Sequence, residues 1–307
     1  MGNIRSSVEQ LIGNTPLLEL SRLAAAYGAK ARLLAKLEYL NPAGSAKDRV
    51  ALSMIRDAEK KGLLSPGATI IEPTSGNTGL GLAAVAAARG YRVVIVMPDS
   101  MSVERQLLMR AYGASLVLTP GIEGMSGAIR RAEELAAATP NSWIPAQFDN
   151  PANALAHYRT TGPEIWAQTG EKVDVFVAGV GTGGTLTGTG HYLKEQNPAI
   201  RIIAVEPDAS PLLSRGDAGS HGIQGIGANF VPTVLDTSLP DAIVRVTDAQ
   251  AFAEARKLAA EHGILAGISA GANIYAARRI AAEHPHLTVV TVLPDSGTRY
   301  LSGSLFK

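Results

Sequence analysis

Along this chain, short runs of β-branched residues alternate with longer segments rich in Ala and Leu. Several short runs, such as residues 92–97 (RVVIVM) and 173–178 (VDVFVA), are almost continuously apolar, which is typical of parallel strands covered on both faces. The longer segments, such as residues 79–90 and 248–263, have the length and composition of helices. The alternation predicts an α/β protein with open, mostly parallel sheets flanked by helices, and we expect two such sheets.

The predicted strands share a short length and a high content of Val, Ile and Leu. They are residues 32–38, 68–71, 92–97, 115–118, 143–144, 173–178, 201–206, 242–246 and 287–293. Prolines and Asn/Asp residues interrupt the alternation at 145–153 (PAQFDNPAN), which is therefore the expected domain boundary. We expect the first sheet before this segment and the second after it.

Composition narrows the class of protein. The 307 residues are 46% hydrophobic and 18% charged, enough for one large or two ordinary cored domains. A net charge of +1 without a Lys/Arg cluster gives no reason to expect nucleic acid or an acidic membrane as a partner. The chain has no cysteine, which excludes disulfides, thiolate metal sites and a cysteine nucleophile, and its six histidines are scattered, so we expect no metal.

The amino terminus lacks an apolar signal core, so we expect a cytoplasmic protein. The longest apolar region, residues 79–98, contains two arginines and divides into a helix and a strand. We therefore expect no segment that spans a membrane.

Three loops rich in Gly, Ser and Thr open predicted helices. They are residues 72–79 (EPTSGNTG), 179–185 (GVGTGGT) and 263–273 (GILAGISAGAN). Free backbone N–H groups at a helix start, together with hydroxyl groups, bind phosphate or carboxylate. A single loop of this kind is often only a structural cap. Three of them in one chain favour a phosphorylated cofactor and an anionic substrate.

The second loop has an alternative interpretation. Residues 179–184 read G-x-G-x-x-G after a strand, and Glu206 ends the next strand, as in a dinucleotide site. That interpretation leaves the first part of the chain without a role. The hydroxyl groups of Thr182 and Thr185 also suit a terminal phosphate better than a buried pyrophosphate.

A single lysine, Lys47, stands in residues 41–50 (NPAGSAKDRV), where a loop is predicted to become a helix. A cation is unfavourable there because it faces the positive end of the helix dipole. Lys47 could be a surface residue paired with Asp48. It could instead be an uncharged, nucleophilic amine that forms a Schiff base. A Schiff-base lysine and a phosphate loop together suggest pyridoxal phosphate.

Nine segments spread over nearly the whole chain carry a resemblance to a known family. They are IGNTPLLEL (12–20), LNPAGSAKDR (40–49), EPTSGNTG (72–79), MPDSMSVER (97–105), QFDNPANALAHY (147–158), GVGTGGTLTG (179–188), IQGIGA (223–228), GILAGISAGA (263–272) and PDSGTRYLS (294–302). They resemble the cysteine synthase (O-acetylserine sulfhydrylase) family of fold-type II pyridoxal-phosphate enzymes, and its A-type members in particular.

The resemblance implies a tryptophan synthase β-like fold. It also implies a smaller, mobile amino-terminal α/β domain over residues 41–150. A larger, cofactor-binding α/β domain would contain residues 1–40 and 151–307. Closure of the first domain over the substrate would exclude water.

The resemblance also implies roles for individual residues. Lys47 would hold the cofactor and move the substrate α-proton, Asn77 would bond the ring hydroxyl, and Ser269 would face the pyridine nitrogen. The cofactor phosphate would be bound by Gly181, Thr182, Gly183, Gly184 and Thr185. The substrate would be bound by Thr74, Ser75, Gly76, Thr78 and Gln147 at its carboxylate and by Gly227 near its amine.

The implied reaction replaces the acetate of O-acetyl-L-serine with sulfide and gives L-cysteine. A serine at the pyridine nitrogen suits loss of a β-leaving group, because it leaves the ring a weaker electron sink than an aspartate would. The family also implies a homodimer and binding of the carboxyl-terminal tail of serine acetyltransferase. A non-catalytic tail-binding protein is a further alternative, but the presence of Lys47 and Ser269 favours an enzyme.

Two departures leave the substrates open. Asn229 stands where cysteine synthases usually have glycine, and the form GSAKDR (44–49) is shared with B-type cysteine synthases and cystathionine β-synthases. Homocysteine or thiosulfate as nucleophile, and serine or O-phosphoserine as donor, therefore remain alternatives. Asn229 is also explained as a turn residue, because Asn adopts a positive φ more readily than most residues, and we favour that interpretation.

Overall fold

Ten strands form two separate sheets in the computed structural model, which describes residues 4–28 and 30–307. In chain order the strands are β1 (Leu17–Glu19), β2 (Arg32–Leu37), β3 (Thr69–Pro73), β4 (Arg92–Pro98), β5 (Ser115–Thr119), β6 (Ser142–Trp143), β7 (Val175–Gly179), β8 (Arg201–Pro207), β9 (Ala242–Val246) and β10 (Thr288–Leu293). Two open, mostly parallel sheets confirm the predicted fold class.

The helices lie between the strands. They are α1 (Ser21–Ala26), α2 (Lys47–Lys60), α3 (Asn77–Arg89), α4 (Val103–Ala111), α5 (Gly124–Ala138), α6 (Ala152–Ala156), α7 (Gly162–Gln168), α8 (Gly184–Gln196), α9 (Leu212–Arg215), α10 (Asp248–His262) and α11 (Ile268–Glu283). A π-helical turn, His157–Thr161, joins α6 to α7. In the part of the chain that the structure describes, none of these helices is long and apolar enough to cross a membrane.

The first compact unit consists of residues 1–12 and 41–152. Its four parallel strands have the order β5-β4-β3-β6. Because side chains alternate along a strand, Ile70 of β3 packs into the cluster formed with α2 and α3, whereas its neighbour Ile71 packs on the opposite face with α5. Both faces are therefore covered, as the apolar strand sequences predict.

The second compact unit consists of residues 13–40 and 153–307. Its six strands have the order β1-β2-β10-β7-β8-β9, and only β1 is antiparallel to its neighbour. Val175 and Val177 of β7 pack with α10 and α11, while Phe176 packs with α7 and α8. The second sheet is therefore also enclosed by helices.

The unit boundaries differ from the expected division in the first twelve residues and at residues 151–152. Residues 1–40 were expected in the larger domain, but residues 1–12 belong to the first unit. Glu9 forms an ion pair with Arg89 of α3, and Ile12 packs on the core of that unit. These contacts, rather than position along the chain, assign the segment to the first unit.

Candidate active site

The second anion loop of the sequence forms a cup at the start of α8. Strand β7 ends at Gly179, and Gly183 caps α8 with a left-handed φ of +83°. A β-carbon at Gly181 would collide with the carbonyl oxygen of Gly225, and one at Gly184 would collide with the Asn153 side chain. Glycine therefore fits both close approaches, and the first turn of a helix leaves its backbone N–H groups without partners inside the helix.

Two threonine hydroxyl groups in this cup lie within hydrogen-bond distance of side chains from residues 153–157. The Nδ2 of Asn153 donates to Thr182 Oγ1 at 2.9 Å. The buried His157 has its Nε2 at 3.2 Å from Thr185 Oγ1 and its Nδ1 at 2.9 Å from Thr161 Oγ1. Both residues belong to the family motif at 147–158, but the sequence predicts a role for neither.

Ser269 and the 225–227 loop lie beside the cup within the second unit. Ser269 is buried in the first turn of α11, and a β-carbon built on Gly225 would be 3.7 Å from its hydroxyl oxygen. The Gly227 N–H donates to the Val180 carbonyl oxygen at 2.9 Å. The structure therefore brings together, within one unit, the predicted phosphate loop, Ser269 and Gly227.

Lys47 is the first residue of α2, as predicted. Its N–H donates to Ser45 Oγ at 3.2 Å, and the buried Asp48 accepts the Ala43 N–H at 2.5 Å and the Ser45 hydroxyl at 3.3 Å. Asp48 also places a negative charge in the first helical turn, where it is favourable. A β-carbon on Gly81 of α3 would lie 2.8 Å from the Lys47 carbonyl oxygen, so α3 fixes this turn from the other side.

The predicted carboxylate loop connects β3 to α3 in the same unit. The Gly76 N–H donates to Thr74 Oγ1 at 3.3 Å, and Asn77 is the first residue of α3. The Thr78 hydroxyl donates to Gln147 Oε1 at 2.5 Å. The start of α3, where backbone N–H groups favour an anion, therefore brings together Thr74, Ser75, Gly76, Asn77, Thr78 and Gln147.

A buried carboxyl group behind this loop was missed by sequence reasoning. Glu72 of β3 is 1% exposed and accepts the N–H groups of Ala146 and Gln147. Burial raises the pKa of Glu72 to about 7, although the two backbone hydrogen bonds act to lower it. In the segment 72–79 the Ser, Thr and Gly residues predict an anion site, but no local pattern shows which backbone amides a strand carboxyl contacts.

Asn229 has a left-handed φ of +63°, and its Oδ1 accepts the Ser210 hydroxyl at 2.8 Å. The turn interpretation of this departure is confirmed. The backbone conformation and this hydrogen bond therefore explain Asn229 without a nucleophile other than sulfide.

Comparison with known proteins places these features in a family. The model of the pyridoxal-phosphate dependent enzymes matches residues 8–295. A cysteine synthase of Staphylococcus aureus (strain Mu50) is 52% identical over 302 residues, covering 98% of this chain and 96% of that protein.

Two solved structures are closely similar. That of the Entamoeba histolytica cysteine synthase has a TM-score of 0.96 and 43% identity, and covers 99% of this chain and 91% of its own. That of an O-ureido-L-serine synthase has a TM-score of 0.94 and 49% identity, and covers 99% of this chain and 95% of its own. The chain therefore belongs to the pyridoxal-phosphate dependent enzyme family and, within it, to the group that contains the cysteine synthases.

Proposed function

We propose that this protein is a pyridoxal-phosphate enzyme that converts O-acetyl-L-serine and sulfide to L-cysteine and acetate. The observation that carries the proposal is the pairing of the α8 cup with a serine, Ser269, in a chain closely similar to cysteine synthases. A serine beside a cofactor ring nitrogen suits elimination and replacement at the β-carbon.

The residues of the second unit fit the cofactor. Its phosphate is an anion, and the cup offers helix N–H groups together with the hydroxyl groups of Thr182 and Thr185. A β-carbon at Gly183 would lie 2.6 Å from Leu235 Cβ, so Leu235 packs directly against this position and leaves no room for a side chain on residue 183. We propose that residues 181–185 hold the phosphate and that Ser269 hydrogen-bonds the ring nitrogen.

The first unit supplies the reacting amine and the substrate site in this proposal. Pyridoxal phosphate, when bound, withdraws electrons from the substrate α-carbon and so permits loss of a group from the β-carbon. The Lys47 amine holds the cofactor, accepts the α-proton and later returns it. Residues 74–78 and Gln147 bind the substrate carboxylate, Asn77 bonds the cofactor hydroxyl, and Gly227 of the second unit lines the space near the substrate amine.

An assay with varied substrates tests this function. Purified protein loaded with pyridoxal phosphate is given O-acetylserine and sulfide, and cysteine is measured. In parallel reactions, homocysteine or thiosulfate replaces sulfide, and serine or O-phosphoserine replaces O-acetylserine. We expect cysteine formation from the first pair to be fastest. Lys47→Ala should lower kcat by about a thousandfold or more and remove the visible absorbance of the bound cofactor.

Lys194→Ala is the control, because Lys194 pairs with Asp241 near the end of α8 and should leave both measurements unchanged. Faster turnover with homocysteine than with sulfide would contradict the proposed nucleophile. Retention of activity and absorbance in Lys47→Ala would contradict the role of Lys47.

We further propose, from the family resemblance, that the protein is a cytoplasmic homodimer whose first domain is mobile and whose active site binds the serine acetyltransferase tail. Light scattering after gel filtration should give twice the mass of one 32.0 kDa chain. A peptide with the sequence of that tail should inhibit competitively with O-acetylserine. A monomer, or inhibition that substrate does not relieve, would contradict these assignments.

A further inference from the structure

The catalytic assignments leave the buried carboxyl of Glu72 without a role. Glu72 lies on β3, two residues before Thr74. Its Oε2 accepts the Ala146 N–H at 3.1 Å, and its Oε1 accepts the Gln147 N–H at 3.3 Å. One carboxyl group therefore binds two successive backbone amides of the loop that carries Gln147.

Ala146 has a backbone conformation that a residue with a β-carbon rarely adopts. Its φ is +53°, in the left-handed region. Its carbonyl oxygen accepts the N–H groups of Asp149 and Asn150, both at 2.9 Å. The loop thus turns sharply at Ala146. The Glu72 carboxyl binds the N–H groups at this turn, and the following residues of the loop bind its carbonyl oxygen.

The turn determines where the Gln147 side chain lies. Gln147 follows Ala146 directly, and its Oε1 accepts the Thr78 hydroxyl in the first turn of α3. If the turn relaxes, the Gln147 backbone moves and the side chain leaves the start of α3.

A buried carboxyl group such as that of Glu72 destabilises a strand unless its hydrogen bonds are made. Burial raises the pKa of Glu72 to about 7, which expresses that unfavourable environment. Its neighbours in the strand, Ile70 and Ile71, show that the positions beside it are filled by apolar side chains. The carboxyl is therefore explained by the two amides that it binds and not by packing.

We propose that Glu72 is a positioning residue that fixes Gln147 against Thr78 and thereby shapes the binding site for the substrate carboxylate. It acts through the backbone amides of Ala146 and Gln147 and does not itself contact the substrate. The inference rests on the proposed role of Gln147 in substrate binding.

Steady-state kinetics of conservative variants give the first test. Glu72→Gln has the same shape but presents an NH₂ group to one of the two amides, and Glu72→Asp keeps the charge but is too short to reach both. In each holoenzyme we expect KM for O-acetylserine to rise about five- to twentyfold while kcat changes less than about twofold. The visible absorbance of the cofactor should not change.

The matched control is Glu59→Gln, the same substitution in the same unit. Glu59 of α2 accepts hydrogen bonds from the side chains of Arg89 and Tyr91, so its substitution changes contacts at the ends of α2 and α3. Its KM should stay at the wild-type value.

A readout independent of turnover is amide hydrogen exchange of residues 144–151. We expect exchange there to be about tenfold faster in Glu72→Gln and unchanged in Glu59→Gln. In a Gln147→Ala background, Glu72→Gln should raise KM by less than about twofold further, because the two residues act through one path.

Unchanged exchange in residues 144–151, or fully multiplicative effects of Glu72→Gln and Gln147→Ala on KM, would overturn the inference. A wild-type KM in Gln147→Ala alone would overturn the link to substrate binding. Absence of cysteine formation by the wild-type enzyme would instead contradict the proposed reaction, and the exchange experiment would still decide whether Glu72 positions the loop.

Discussion

Glu72 should make the stability of the first unit depend on pH. Burial raises the pKa of its carboxyl from the ordinary 4.5 to about 7, so the folded state binds its proton more tightly than the unfolded state does. Its contribution to stability is complete below about pH 4.5 and is lost as the pH rises through about 7.

We therefore expect the free energy of unfolding of wild-type protein, relative to Glu72→Gln, to fall by up to about 3 kcal/mol between pH 4.5 and 8. Urea titrations of both proteins across this range measure the difference. The pKa of Glu59 is shifted in the opposite direction. Burial acts to raise it, but hydrogen bonds from Arg89 and Tyr91 outweigh burial and lower the pKa. A pH-independent difference between wild type and Glu72→Gln would contradict the prediction.

Single residues also show where sequence reasoning reaches its limit. Lys47 and Ser269 were placed correctly at helix starts, because residue type and neighbouring glycines indicate a helix start directly. Asn153 and Glu72 were not recognised, because their importance comes from partners that are distant in sequence. A contact between residues 72 and 147 depends on how β3 and the loop after β6 pack, and no local pattern records it.

At the scale of elements, the close packing of α2 and α3 places the first turn of α2, which carries Lys47. The two helices approach at Gly81, where a β-carbon would lie 2.8 Å from the Lys47 carbonyl oxygen and 3.3 Å from Ala51 Cβ. Backbone atoms cannot move aside as a flexible side chain can, so a larger residue here must separate the helices.

We expect Gly81→Ala to destabilise the protein by about 1–2 kcal/mol, because overpacking outweighs the gain in helix propensity. Displacement of Lys47 should also lower kcat. Thermal unfolding and steady-state assays measure the two effects. Gly79→Ala on the same helix is the comparison for stability: its β-carbon would lie 2.7 Å from the methyl end of Met109 and 3.1 Å from Thr74 Cγ2, which are both side-chain atoms, so the loss of stability should be smaller. Equal effects at both positions would contradict this account.

Element prediction was accurate where the pattern was strong. All nine expected strands exist, with bounds within two residues of the structure, because continuous runs of Val and Ile are typical of covered parallel strands. The strand β1 was missed: it is three residues long, antiparallel and at the sheet edge, so it has little apolar pattern. The short helices α1, α6 and α7 were missed for the same reason, since six, five and seven residues show too little periodicity.

At the scale of the whole molecule, each unit contains its own sheet and its own apolar clusters. The expected division was drawn from a break in the pattern at residues 145–153, and the chain passes into the second unit at residue 153. No hydrophobic pattern in the sequence predicts that residues 1–12 belong to the first unit, because this assignment depends on the contacts of Glu9 and Ile12.

The two tryptophans report on different units, since Trp143 packs in the first core and Trp166 in the second. We expect Ile55→Ala, which empties a fully buried site in α2, to shift the urea midpoint reported by Trp143 more than that reported by Trp166. Variants with Trp166→Phe or Trp143→Phe separate the two signals. Ile202→Ala in β8 is the matched change in the second core and should reverse the order; coincident shifts for both would contradict independent cores.

The position of β10 has a consequence for how the protein is made. β10 lies between β2 and β7 in the second sheet, although residues 288–293 are synthesised after both of those strands. Every residue of the first unit precedes residue 153, so that unit can fold while translation continues. The second sheet can close only after residue 293 has been synthesised, and until then the edges of β2 and β7 are available to pair with other chains.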